Sequence, residues 1–445
     1  MLAYSYFSGG KIRIFNKPRL DNKNNLDYFT IFPRFIINRG RSYIFFRAIF
    51  IVKIVTKLRF LKTTMVIIIV VLIILLLELF SSRLLVPPPD NFYIWPPGIE
   101  RTFTPDQEIL PGTSPKAWFR TNSYGLRSYN PTPNDDYRIL VLGGSAAECL
   151  YLNQKVTWPR LLLANLHREM PRLKVWVGNG GRSGQNSRDH IFHLLHLPLR
   201  ALDVDAIIIL AGANDLLLRL RQGEYFDPGY LDQPGAASRQ LDHAFLFVPY
   251  QYSIPPPPFY KKLGLWRVAK RIKNRFFSER PQDPKGKIIA DWRENRKLSG
   301  IRLEGLPYME EGLGEYKSNI DTIIDLASKK GIRIIFVTQP ALWKKGMTPE
   351  EKARLWMGGV GPFKTRPGEP YYTPEALSEG LKTYNLLLSS FCRWRGVEYL
   401  DLAAEFPQNT GVFYDDCHFT VEGSERIARE ISDYLLSKPP WRVTE

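Results

Sequence analysis

The hydrophobic pattern of this chain changes character twice. Thr63 to Phe80 (TTMVIIIVVLIILLLELF) is one apolar run whose only charge is Glu78, near its far end. At about 1.5 Å of rise per residue such a run nearly crosses a hydrocarbon core of roughly 30 Å, and Phe60, Leu61, Leu84 and Leu85 extend it. It predicts a transmembrane helix over 63–80. Residues 81–115 then carry VPPP, WPPG and repeated single prolines. Proline removes backbone donors and stiffens the chain, so an extended linker is expected there.

From about 116 short segments rich in Val and Ile take over: 137–142, 174–177, 206–210, 333–337 and 397–400. They show little alternation, as strands buried on both faces do. Helical stretches near 147–168, 187–199, 314–330, 376–395 and 421–436 separate them. Strand followed by helix, repeated, predicts an α/β fold: a parallel sheet of about five strands with helices on both faces, over 116–438. Residues 220–312 are far too long for an ordinary connection and read as an insertion. No internal repeat is apparent.

Charge changes the picture once it is located. The net charge of +17 and pI near 9.6 suggest a polyanionic partner. Yet residues 1–62 hold thirteen Lys or Arg against Asp21 and Asp27, a net +11. That surplus directly precedes the apolar run. Within about 20 residues of the run, five basic residues lie before it and one, Arg83, after it. The positive-inside rule therefore places a basic segment, 1–62, in the cytoplasm and the rest across the membrane, periplasmic or extracellular. Tyr43 to Val55 (YIFFRAIFIVKIV) suits the headgroup region. A cleaved signal peptide is the alternative, because Met65 to Leu77 has h-region length; Leu79 to Arg83 offers no pair of small residues for cleavage. No nucleic-acid partner is expected, since the remainder of the chain is only mildly basic and lacks an aromatic-basic motif. Three cysteines exclude a disulfide-stapled miniprotein.

In a parallel sheet the ligand crevice lies beyond the carboxyl ends of the strands. After the first strand comes Gly143-Gly144-Ser145, after the second the turn Gly178 to Ser187, after the third Asn214-Asp215, and after the fifth Asp415-Asp416-Cys417-His418. Acyl transfer needs this set. A serine hydroxyl becomes nucleophilic when an imidazole takes its proton, a carboxylate fixes the imidazole tautomer, and preplaced N–H donors receive the oxyanion.

Each block alone has a plainer explanation. Ser145 with Glu148 fits a capping box, the glycines fit any turn, Asp215 fits a helix cap, and Asp415 with His418 fits coincidence. Their joint occurrence at strand ends favours the chemical reading. Asp416 remains an alternative triad acid. Gln339, at the end of the fourth strand, either lines the pocket or simply closes the strand. His190, His193 and His196 drift around a helix and predict no metal, and no cofactor is expected. Cys149 and Cys417 lie beside opposite members of the constellation, which raises the question of a disulfide.

These blocks resemble the SGNH hydrolase superfamily, the GDSL-like lipases and esterases. The resemblance covers roughly 120–437 and implies a three-layer α/β/α, flavodoxin-like sheet. It casts Ser145 as nucleophile, Asp415 and His418 as its triad partners, and the Ser145 and Gly184 N–H groups with the Asn214 amide as the oxyanion hole. The chain departs from the family pattern in reading Gly-Gly-Ser where the family name has Gly-Asp-Ser. The expected activity is that of a membrane-anchored serine esterase or deacylase acting on a lipid, an acetylated glycan or a small acyl ester. The rivals are an O-acyltransferase working on cell-surface glycans and a non-catalytic membrane-tethered binding protein on the same fold. Within the insertion, Phe259 to Phe277 (FYKKLGLWRVAKRIKNRFF) sets Leu265, Ala269, Ile272 and Phe276 in a stripe among basic residues. It reads either as a lid or interfacial helix facing anionic lipid or acidic glycan, or as a helix packed on the domain.

Overall fold

A computed structural model describes residues 39–85, 91–249, 252, 258–276 and 285–439. Most of the basic segment, the VPPP run and most of the proline run 255–258 fall outside the described residues. The chain divides into two units, Met1–Ile74 and Leu75–Glu445. The apolar run is helical throughout. Helix α1 spans Arg39–Phe80 and ends in a wider π turn, Ser81–Leu85. It begins well before 63 because no Gly or Pro interrupts 41–86. Its side chains, such as Ile67 and Leu76, stay exposed, and by length and composition it is apolar enough to cross a membrane.

In chain order the remaining elements are β1 (Glu100–Phe103), β2 (Ala117–Arg120), β3 (Tyr137–Gly143), α2 (Ser145–Glu148), α3 (Trp158–Glu169), β4 (Val175–Asn179), α4 (Ser187–His196), β5 (Ala206–Ala211) and α5 (Ala213–Gln222). Then come α6 (Ala236–Ala244), α7 (Gly264–Phe276), α8 (Lys287–Leu298), β6 (Arg302–Leu303), α9 (Glu310–Lys329), β7 (Arg333–Thr338) and α10 (Pro349–Ala353). β8 (Tyr371–Tyr372), α11 (Pro374–Arg395), β9 (Glu398–Leu400), α12 (Leu402–Glu405) and α13 (Val421–Ser437) complete the described part.

The five apolar segments are the five strands of one parallel sheet, in the order β4-β3-β5-β7-β9. Counted within the sheet this is 2-1-3-4-5, the flavodoxin-like order. Ile139 to Leu142 and Ile207 to Ile209 are fully buried, and each such side chain contributes roughly 1.5–3 kcal/mol of burial. Helices α3 and α13 pack together, as do α4 with α9 and α9 with α11. The register aligns Gly143 with Leu210 and Val141 with Asn179, so β3, β4 and β5 deliver their following loops to one edge.

Three expectations change. The helix read over 147–168 is broken. α2 stops at Cys149, whose φ of 54° is left-handed, and α3 starts only at Trp158, with Pro159 in its first turn. The stretch 91–115 is more than a spacer: Phe92, Ile94, Phe103 and Leu110 are buried in the core, and β1 pairs with β2. Prolines set the path of that segment without preventing the apolar residues between them from being buried. In the insertion, the α7 stripe packs only in part: Leu265 is half-buried, whereas Ala269 and Ile272 are exposed. The start of α7 is instead fixed by Glu78, whose carboxylate accepts the N–H groups of Gly264 (2.5 Å) and Leu265 (2.9 Å). Gly264 is required there, since a Cβ would stand 2.3 Å from the Ser82 nitrogen.

Candidate active site

The loops at the sheet edge bring Ser145, Asp415 and His418 together. His418 Nε2 lies 2.6 Å from Ser145 Oγ, and its Nδ1 lies 2.7 Å from Asp415 Oδ2. Asp415 Oδ1 accepts the backbone N–H of His418 (3.0 Å) and Cys417 (3.2 Å), and the Trp356 indole donates to Oδ2 (2.9 Å). The imidazole is held between the Trp356 and Tyr414 rings, with centroids 6.4 and 5.5 Å away and planes about 20° apart.

Asp416 turns the other way. Its carboxylate accepts the Trp343 indole (2.8 Å) and the backbone N–H of Trp356 (2.8 Å) and Met357 (3.2 Å). This leaves Asp415 as the carboxylate on His418.

Burial by itself would raise the Asp415 carboxyl. The His418 charge and hydrogen bond, then Trp356 and the Arg293 charge, overcome it and hold the group below the ordinary carboxylate range. Burial works against a charged His418, yet Asp415 lifts the imidazole above its ordinary 6.5. Asp416 is raised, by burial first and by Asp415 second. The two neighbouring carboxyls are thus driven apart, the one facing His418 staying ionised.

Ser145 does not act as a helix cap: Gly144 occupies that position, and the Ser145 hydroxyl faces His418. Glu148 departs from the capping box too, its carboxylate taking the N–H (2.6 Å) and hydroxyl (2.5 Å) of Ser183. The glycine loop is thereby fastened to α2. Asn179 adds a second tie, donating to the Ala147 carbonyl and accepting from the Gly181 N–H, both at 2.8 Å.

Gly184 follows with φ of 82°, and neither its N–H nor that of Ser145 meets a protein acceptor among the described residues. The Asn214 amide donates to the Gln185 carbonyl (2.7 Å), and a Cβ on Gly144 would stand 2.1 Å from its nitrogen. The departure to Gly-Gly-Ser therefore has a local cause: the Asn214 amide occupies the space a side chain at 144 would need. Ser145, Gly184, Asn214 and His418 all face one cleft of about 920 Å³.

Gln339 is not part of that cleft. It is buried, its N–H and carbonyl paired with the Asn385 amide (3.1 and 3.0 Å), because α11 covers the end of β7. Asp215 accepts the N–H (3.0 Å) and hydroxyl (2.5 Å) of Ser187, tying α5 to α4 rather than capping its own helix. His190 and His193 are buried and pushed down to about 3 by burial; His193 Nε2 reaches the Ala244 carbonyl (3.1 Å). Among the described residues no group of side chains is placed to hold a metal ion. Cys149 and Cys417 are free thiols, with Sγ contacts to the Ala146 carbonyl (3.3 Å) and Met357 Sδ (3.9 Å).

The motif search missed Trp356 and Arg127. Arg127 is buried and donates to the carbonyls of Glu148 (2.5 Å), Cys149 (2.7 Å) and Leu152 (2.7 Å), stapling the loop behind Ser145. Burial pushes it down to about 10. Its only sequence signal is a charged residue between Leu126 and Ser128, ahead of the first predicted strand.

The chain belongs to the GDSL-like lipase/acylhydrolase family, whose profile matches residues 141–426. It is accordingly an ester-hydrolysing enzyme. Similar solved structures include an acetylxylan esterase from Geobacillus stearothermophilus, at 12% identity over 69% of this chain and 97% of that one, with a TM-score of 0.36. A putative lipolytic protein of the G-D-S-L family from Desulfitobacterium hafniense matches at 12% identity over 67% and 99%, TM-score 0.33. A putative acylhydrolase from Bacteroides fragilis matches at 12% over 69% and 90%, TM-score 0.33. No curated protein matches the chain.

Proposed function

We propose that this protein is a membrane-anchored serine esterase whose catalytic domain lies outside the cytoplasm. The observation that carries the reading is the unbroken relay from Asp415 through His418 to Ser145, at 2.7 and 2.6 Å. In this mechanism Ser145 Oγ attacks the ester carbonyl as His418 Nε2 takes its proton, and Asp415 holds the imidazolium. The Ser145 and Gly184 N–H groups and the Asn214 amide receive the oxyanion. His418 returns the proton to the departing alcohol, and the acyl group stays on Ser145. Water, deprotonated by His418, then releases the acyl group as a carboxylic acid. Hydrolysis of p-nitrophenyl acetate by the full-length protein tests this. The Ser145→Ala variant falls by roughly 10³-fold or more in kcat, and undiminished turnover by that variant overturns the reading.

The anchor in this account is α1, uncleaved, with its basic flank on the cytoplasmic side. Helix α7 lies on the outer bilayer surface. Glu78 fixes its first turn, Trp266 and Ile272 are exposed, and Lys261, Lys262 and Lys270 give it charge complementary to anionic headgroups.

A further inference from the structure

The cleft around Ser145 is far larger than a small ester needs, and its charge is one-sided. Among the described residues no Asp or Glu lines it, whereas Arg101, Arg188, Arg221, Arg239 and Lys364 all do. Arg188 is neutralised by Glu315, at 2.5 and 2.8 Å. The other four have no carboxylate partner among the described residues. They come from separate parts of the fold: Arg101 from β1, Arg221 from the end of α5, Arg239 from α6 in the insertion, and Lys364 from the segment before β8.

Two of them adjoin residues of the site. Along α5, Asn214, Leu217, Leu218 and Arg221 share the face that lines the cleft, so one helix presents the oxyanion amide and a guanidinium together. Lys364 Nζ sits over the rings of Trp292 (4.5 Å) and Trp356 (5.0 Å), and Trp356 is the residue that donates to Asp415. Although the residue as a whole meets solvent, its ammonium is sunk among these rings. That burial and the charge of Arg221 push it down to about 8. Two cations set near each other without a counter-ion are unfavourable until an anion arrives.

We propose that the cleft takes an acyl ester carried on an anionic glycan, with Arg221 and Lys364 reading sugar carboxylates. The inference rests on the esterase reading and adds its substrate class. Cations brought by separate parts of the fold to one open cleft, with no carboxylate among its described lining, match a polymer of carboxylated sugars.

The test uses the full-length protein in detergent micelles and follows acetate release from O-acetylated polygalacturonate, from the same polymer with its carboxylates methyl-esterified, and from p-nitrophenyl acetate. The charged polymer is favoured over its methyl ester by ~10-fold or more in kcat/KM at low ionic strength, and the preference shrinks between about 20 and 300 mM salt. In the Arg221→Gln, Lys364→Gln double variant, the ratio of charged to methyl-esterified polymer moves toward one. Equal, salt-insensitive rates on both polymers overturn the inference while leaving the esterase reading intact. So does faster release of fatty acid from phosphatidylglycerol vesicles than of acetate from the polymer. If p-nitrophenyl acetate is not hydrolysed, the esterase reading fails. Binding of unacetylated polygalacturonate to Ser145→Ala protein, read by tryptophan fluorescence, then still decides whether the cleft prefers the charged polymer.

Discussion

Two consecutive aspartates meet different fates. Asp415 faces His418 and Asp416 faces Trp343 and two backbone N–H groups. Asp415→Asn is expected to lower kcat by roughly 10³–10⁴-fold, because it loses the charge that holds the imidazole tautomer. Asp416→Asn sets an amide against three donors and costs about 1–3 kcal/mol of stability, read by thermal unfolding. The pH profile separates the two as well. Imidazolium cannot accept the Ser145 proton, so kcat/KM declines as pH drops through the His418 pKa, which Asp415 raises above the ordinary 6.5. That limb moves to lower pH in Asp415→Asn and by less in Asp416→Asn, because both carboxylates raise the imidazole and Asp415 contributes more. Gly144→Ala is a third residue-scale test. Its Cβ would displace the Asn214 amide, and a misplaced oxyanion donor costs about 10²-fold in kcat on p-nitrophenyl acetate.

At the scale of elements, the sheet was legible in the sequence because its strands are buried on both faces and so read as unbroken Val and Ile runs. Site residues standing directly behind those strands were legible for the same reason. Where the sequence misled, side chains had two local partners to choose between. Glu148 could cap α2 or hold Ser183, and only the arrival of the glycine loop decides for Ser183. Gln339 ends its strand as expected, yet α11 seals it from the cleft. Trp356 and the cleft cations were invisible, since they come from irregular or inserted segments whose positions depend on the whole fold. Helix α7 is the element that we propose faces the bilayer. With Ile272→Cys carrying a spin label, the full-length protein in anionic nanodiscs is expected to give oxygen accessibility above that of a polar nickel reagent, as a lipid-facing site does. The reverse ratio would place α7 in water.

For the whole molecule, +17 is two statements rather than one. In the proposed topology the net +11 of residues 1–62 orients the chain in a membrane, and the cleft cations without a carboxylate partner among the described residues are proposed to meet the substrate. The flavodoxin-like sheet brings a serine directly behind strand β3 and a histidine 273 residues later to 2.6 Å. The central claim is that this closeness makes Ser145 a nucleophile. Reaction of the full-length protein with a fluorophosphonate, followed by peptide mapping, tests it most directly. The account predicts one stoichiometric adduct, on Ser145, formed at least ~10²-fold more slowly in a folded His418→Ala variant. An unlabelled Ser145 in folded wild-type protein, or labelling indifferent to His418, would contradict it.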